Sequence, residues 1–531
     1  MLSKSDDEAE AVRKWVVEHG GQVKSDAVEL CGDADYGRTH RFVRAKRSVE
    51  QPEVLAEVPK RLLLSPRNSE LRHTLSSLSP HAAAICALVH ELAHPDRSFW
   101  RPYLRTLPPY GETSLPMFWS SPDANQLLAG TELLDVLRED ANEHESLLQS
   151  LKQVLPSSDN LTLKSLKSSI SLVSSRAFCV PDEHSECLVP IADLFNNAVE
   201  GESVHIEGAG DEGDENEEDS EEAEEDNSDD QDGHHEGDYR KPANDDNVQD
   251  ETNVDPEHHR VIHVYTSHES NDGDDEEDHN REGEEAHVYG DTSCDHVGGC
   301  SGCQTQSQEK RDVLTITCVR SVKAGSELFN TFGVQGNAAL LHKYGYCEIG
   351  PAMQHTLVNI EIELVARCLE CEVSRLRASA KRFGFADDDT HWQISPDGDI
   401  ESSLPAAVYL SLLGDDDAEE WLKRMLMEEV PCIHVTELVT PNSTVCKVLK
   451  AVMRARLDLY SCKTSSQEEL ALARSDHHSS ERSSAGTGFF GEGAACILRG
   501  SEKRALENAL MWLDAIDDDR DMRSAKLPKR G

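Results

Sequence analysis

The sequence predicts an α+β chain, and three observations carry that prediction. Segments such as VLTITC (313–318) alternate apolar and polar residues with the period of a half-buried strand. Longer segments, 123–155 and 443–460, repeat leucine, valine and methionine every three or four residues, which is a helical period. Residues 201–310 hold 38 Asp or Glu against 5 Lys or Arg and have little to bury, which predicts a disordered acidic insert.

The elements follow in chain order. AVRKWVVEHGG (11–21) is an amphipathic helix that Gly20 and Gly21 end. In VLAEVPKRLLLS (54–65) the first residues form a strand, closed by Pro59 and Lys60-Arg61. From about 80 to 155 the pattern is helical. HAAAICALVHELA (81–93) is one apolar helix, and SFWRPYLRTLPP (98–109) is an aromatic connector rich in turns. CLVPIADLFNN (187–197) reads as a short apolar strand ending in polar residues. Inside the acidic insert, HHRVIHVYTS (258–267) is one island with strand character. DVLTITCVRSVKAGSELF (312–329) predicts two strands joined by a turn at Gly325. GSELFNTFGVQGNAALLHKYGY (325–346) then gives a strand, a Gly turn and a short helix that ends in Tyr-Gly. From about 351 the chain is helical, with Ser443 or Thr444 as N-cap of one helix and an amphipathic helix over 497–516.

Composition excludes several functions. Net charge is −49, yet the insert alone accounts for −33 and leaves −16 for the other 421 residues. Broad nucleic-acid binding is not expected of such a chain, whereas a basic protein partner is. No apolar run approaches the roughly 20 residues needed to cross a bilayer, so no membrane partner is expected. The start, MLSKSDDEAEAV, lacks the apolar region of a leader, and the 15 scattered cysteines read as reduced thiols. The expected compartment is the nucleus or cytoplasm, with the nucleus ahead on the acidic insert and the basic KLPKR near residue 530.

Two segments carry metal-ligand spacing. His90-Glu91-Leu92-Ala93-His94 fits H-E-x-x-H, but no third ligand follows at helical spacing, and an ordinary helix is expected. Cys294, His296, Cys300 and Cys303 could close a small zinc knuckle or remain free thiols in the insert. The site itself is expected to need no metal.

Several motifs together resemble the Rubisco large-subunit-type SET-domain protein methyltransferases, in particular the branch acting on ribosomal proteins and transcription factors. They are EVPKRLLLS, SFWRPYLRTLP, SSRAF, VPIADLFNN, GSELFNTFG and NAALLHKYGY, all in the family's order. RARLDLY and ILRGSEKRAL resemble the family's helical substrate-binding domain. The resemblance implies a SET β fold over 1–349 with a helical insert at about 67–186. It places the acidic insert at about 201–310 and an all-α substrate-binding domain over 350–531. It implies S-adenosylmethionine as cofactor, a lysine of a non-histone protein as acceptor, and a monomer. Asn196 and Asn197 would line the cofactor pocket, as would His40 and Arg41. Arg176 and Asp193 would lie near the substrate. Phe332 and Tyr344 would line the lysine channel as the catalytic pair.

Three departures from the family bear on activity. Phe332 stands where the family has a tyrosine, Asn197 where it has a histidine, and His40-Arg41-Phe42 where it has a Gly-x-Gly turn. They favour an alternative reading, a SET fold that binds a protein partner without catalysis. A histidine acceptor is a further variant.

Overall fold

The structure, a computed structural model, describes residues 4–32, 41–108, 114–154, 161–180, 185–208, 312–386, 388–427, 438–476 and 488–518. All belong to one unit, built from 1–213 and 308–531. The strand expected at 258–267, the candidate zinc ligands of 294–303, His40 and nearly all of the acidic insert lie outside the described residues.

Two four-stranded sheets frame the first half. One has the order β1-β4-β9-β8, from β1 (Gln22–Val23), β4 (Glu53–Pro59), β8 (Val204–Gly208) and β9 (Val313–Cys318). The other has the order β2-β3-β10-β7, from β2 (Val28–Gly32), β3 (Arg41–Ala45), β7 (Asn196–Asn197) and β10 (Glu327–Asn330). Strand β9 shows why these residues form strands. Leu314, Ile316 and Cys318 are buried while Val313, Thr315 and Thr317 are partly exposed, the alternation that pleating imposes. The strand β4 expected from VLAEVP is present and carries a bulge between Val54 and Ala56. Gly325, at φ 84, makes the turn into β10.

Helices Pro80–Ala93 and Leu163–Arg176 pack with both sheets into one apolar core that includes Leu55, Leu62, Ile85, Leu88 and Leu166. Each such leucine contributes about 1.5–3 kcal/mol on leaving water. A second core forms among the helices and strands after Val358, around Trp392, Leu449 and Leu506. A third joins Leu128 and Leu133 with Leu341, Cys347 and Ala494–Leu498.

The structure departs from the sequence pattern at two places. The apolar run CLVPIADLFNN does not continue as a strand. Strand β6 (Ser185–Leu188), paired with β5 (Ala177–Val180), stops at Leu188. Pro190 has no N–H for a ladder, and the chain passes through Ile191 at φ 75 into a 3₁₀ turn, Ala192–Leu194. The C-terminal third is also not purely helical. There β12 (Val358–Glu361) pairs with β13 (His391–Ile394), and β11 (Tyr346–Glu348) pairs with β14 (Gly488–Phe490). Alternating β-branched residues in LVNIE drive the first pair, and partners some 140 residues apart in sequence make the second.

Candidate active site

Strands β7 and β10 run parallel side by side, Asn196 beside Phe329 and Asn197 beside Asn330. That pairing brings the end of the VPIADLFNN segment to the start of the TFG turn. The side chain of Asn197 then spans the junction. Its Oδ1 accepts from the Phe332 backbone N–H at 2.8 Å, and its Nδ2 donates to the Tyr346 hydroxyl at 2.9 Å. Asn196 points elsewhere and donates through Nδ2 to Glu327 Oε1 at 2.6 Å. Burial pushes the Glu327 carboxyl up to about 7, and the Asn196 hydrogen bond offsets part of that rise.

After the turn, helix Asn337–Tyr344 ends on Gly345 in the left-handed region, φ 79. The Gly345 N–H donates to both Leu340 and Leu341 carbonyls at 3.1 Å, a C-terminal cap that reverses the chain. A side chain at Gly345 would place its Cβ 2.7 Å from Ser114 Oγ and 2.9 Å from the Leu115 nitrogen. The reversal puts Tyr344 and Tyr346 on either side of one glycine, both packed against the small cluster of Val199, Leu340 and Ala352. The Phe332 and Tyr344 rings stack at 4.6 Å and 19°. Burial pushes the Tyr344 phenol up to about 12, and raises that of Tyr346 further. Both are therefore neutral at physiological pH.

The helix start is anchored as firmly as its end. Asn337 is fully buried; its Oδ1 accepts from the Glu348 N–H at 2.9 Å, and its Nδ2 donates to the Glu348 carbonyl and to Ser501 Oγ, each at 3.1 Å.

Arg176 and Asp193 meet, as an ion pair at 3.6 Å, but in a buried cluster. Asp193 is 1% exposed at its side chain and accepts from the Tyr103 hydroxyl at 2.9 Å, while Arg176 Nη1 also donates to the Asp193 carbonyl at 3.1 Å. Burial raises the Asp193 carboxyl despite Arg176 beside it. Ile191, β-branched and at positive φ, holds the turn that aims Asp193 inward; such strain costs of order 1–3 kcal/mol and persists only where packing enforces it. Arg41 turns inward as well, onto Glu8 at 2.7 Å and the Thr106 carbonyl. Arg41 Nε, Arg176 Nε and Asp193 Oδ1 are buried and lack a partner among the described residues.

A recess of about 660 Å³ opens beside Tyr344. Asp140, Glu143 and Glu186 line it, with His81, His144 and His342. His81 contacts Glu186 at 2.6 Å and His342 contacts Asp140 at 2.7 Å. His144 is buried, its Nδ1 has no partner among the described residues, and burial lowers its pKa. On the helix that carries His90 and ends just before His94, buried Glu91 accepts from Ser98 Oγ at 2.5 Å. Sequence reasoning missed Tyr103, Glu327 and Tyr346. Tyr346 had a signal, the aromatic pair spaced across Gly345 in KYGY.

No protein-family model matches the chain. Among curated proteins it is 30% identical over 175 residues to the N-lysine methyltransferase SETD6 of Homo sapiens, a match that covers 29% of this chain and 37% of that protein. It is 25% identical over 347 residues to ribosomal lysine N-methyltransferase 4 of Schizosaccharomyces pombe, covering 64% and 67%. The chain thus spans little more than a third of the human relative's length in that match. Among solved structures, the SET domain of LSMT bound to lysine and AdoHcy superimposes with a TM-score of 0.61 at 18% identity, over 98% of this chain and 94% of that one. Rubisco LSMT bound to AdoMet gives 0.59 at 18% identity, over the same shares of each chain. The structural matches show that the chain has the SET-domain fold of LSMT. Its sequence is similar to those of N-lysine methyltransferases.

Proposed function

We propose that the chain is an S-adenosylmethionine-dependent protein-lysine N-methyltransferase acting on a basic segment of a non-histone protein. The observation that carries this reading is the stacked Phe332–Tyr344 pair, held at the β7–β10 junction, whose Tyr344 lines an acidic recess. An aromatic passage strips water from a lysine ammonium and favours the neutral amine, whose lone pair is the nucleophile. Bound S-adenosylmethionine would supply an electrophilic methyl on its sulfonium. The chain's own task is then to position and to desolvate. Three buried atoms without a partner among the described residues, Arg41 Nε, Arg176 Nε and Asp193 Oδ1, fit a zwitterionic ligand, two donors for a carboxylate and one acceptor for an ammonium. The Asn196 and Asn197 side chains are engaged within the protein, so their part in cofactor binding would fall to the backbone.

A basic substrate is supported by the recess. Its carboxylates, Asp140, Glu143 and Glu186, outnumber the single Lys343, and neutral His144 adds no charge. The acidic residues of 209–307 lie outside the described residues and would add long-range attraction for a basic protein. The proposal keeps a monomer, a nuclear or cytoplasmic site of action, and a division near residue 349 between SET domain and substrate-binding domain.

Calorimetric titration of the full chain with S-adenosylmethionine is the test, followed by methyl transfer to lysine-rich proteins. Micromolar binding with label on lysine supports the proposal. No binding at millimolar cofactor refutes it and leaves the partner-binding reading.

A further inference from the structure

We infer that Tyr346 is a positioning residue of this site, its hydroxyl locking Asn197 so that Asn197 fixes the Phe332 backbone beneath Tyr344. The inference rests on the proposed function for its consequence, and on geometry for its mechanism.

The hydrogen-bond directions leave one arrangement. The Phe332 backbone N–H can only donate, so the Asn197 atom 2.8 Å from it is the carbonyl oxygen. The Asn197 amide nitrogen must then face Tyr346, and it donates to the phenol oxygen at 2.9 Å. The phenol proton therefore points away from Asn197. No described residue accepts it, so the hydroxyl's one contact among the described residues is the Asn197 amide. The phenol is held neutral by burial, so the arrangement persists across physiological pH. Strand pairing fixes the far side of the ring, since Tyr346 sits opposite Phe490 with ring centroids 6.3 Å apart.

The arrangement also bears on Phe332. The site has no hydroxyl there, yet it has one on Tyr346, a single amide away along the Phe332–Asn197–Tyr346 chain. The ring of Phe332 stacks on Tyr344, and its backbone is the end of the chain that Tyr346 holds through Asn197.

The test is Tyr346→Phe, which removes one oxygen and keeps the ring. Two readouts are taken on the full chain. The first is hydrogen exchange at the Phe332 amide. Loss of the phenol leaves Asn197 free to rotate, and Phe332 exchange is expected to speed up at least tenfold while amides in the second core hold their rates. The second is steady-state methylation, where kcat is expected to fall at least tenfold with KM for the protein substrate within twofold. Asn197→Ala is expected to reproduce both effects, and the double variant to add nothing further. Unchanged Phe332 exchange in Tyr346→Phe overturns the inference whether or not the protein is active. Additive losses in the double variant overturn it too. An inactive wild type with tenfold faster Phe332 exchange in the variant refutes the proposed function and leaves the positioning link standing.

Discussion

Replacing Glu502 with glutamine should make the protein more stable at neutral pH. Glu502 is 1% exposed, accepts from the Tyr460 hydroxyl at 2.7 Å, and has Arg456 at 4.0 Å. Glu132, Arg499 and Cys347 also face it. Burial pushes its carboxyl up to about 8, with Glu132 adding to the rise and Arg456 opposing it. One guanidinium does not offset burial here because Arg456 is already shared. It donates to the carbonyls of Asn359 at 3.1 Å and Gly130 at 2.7 Å, and lies 3.9 Å from Glu132. The sign follows from which state binds the proton. Folded Glu502 holds it up to about pH 8, whereas an unfolded glutamate releases it near 4.5. Stability is thus fully present below 4.5 and is lost as pH rises toward 8. At about 1.4 kcal/mol per pH unit, that loss reaches about 3 kcal/mol at pH 7 and stays below about 1 kcal/mol at pH 5. Glu502→Gln abolishes the proton uptake and keeps a carbonyl for Tyr460. Urea unfolding at both pH values should show the variant about 2–3 kcal/mol more stable at pH 7 and near wild type at pH 5. An equal loss of stability at both values would refute the reasoning, because it would mean that Glu502 folds as a carboxylate.

Other perturbations test other parts of the site. Gly345→Ala meets both a positive φ and a 2.7 Å contact with Ser114 Oγ, and should lower stability by about 2 kcal/mol or more in thermal unfolding. A neutral result would mean that the Tyr344–Tyr346 reversal is not held in the left-handed region. Tyr103→Phe takes away the hydroxyl hydrogen bond to Asp193 Oδ2, in a cluster where Oδ1 lacks a partner among the described residues, and should cost about 1–3 kcal/mol in urea unfolding. Glu327 has its folded pKa raised to about 7, so its contribution to stability is present below 4.5 and lost as pH rises through 7. Glu327→Gln should flatten that part of the pH–Tm curve while keeping the Asn196 contact, and an unaltered curve would show that Glu327 is ionised in the fold.

The sequence made some of this legible for physical reasons. Alternation in VLTITC and a Gly turn at 325 specify strands because pleating and positive φ are local properties of the chain. The helix ending at Tyr344 was legible in the same way. Asn197, Phe332 and Tyr344 were expected at the site by resemblance, and the structure brings them together at the β7–β10 junction. What stayed hidden depends on partners far away in sequence. The apolar run VPIADLF resembles a strand, but Pro190 removes its ladder and Ile191 turns it. Arg41 is expected in a turn beside the cofactor, yet it begins strand β3 and Glu8 and Thr106 draw it inward. Tyr346 gains its role from Asn197, 149 residues earlier.

The reversal at Gly345 depends on the C-terminal helix Gly491–Asp518 as much as on its own cap. Ser501 on that helix accepts from Asn337, the first residue of the helix that ends at Tyr344. Ala494–Leu498 pack on Leu341 and Cys347 in the third core, and β14, which leads directly into the same helix, pairs with β11 at Tyr346. Thus both aromatic residues flanking Gly345 take their positions from a segment some 150 residues later. Ser501→Ala isolates the polar part of this support. Asn337 Nδ2 would keep only the Glu348 carbonyl, and the loss of one buried hydrogen bond should cost about 1–2 kcal/mol. If support from the C-terminal helix sets the geometry, hydrogen exchange at Gly345 and Tyr346 should quicken in the variant while exchange in β9 does not. Equal quickening in both places would show general destabilisation instead, and would leave the cap as the sole support of the turn.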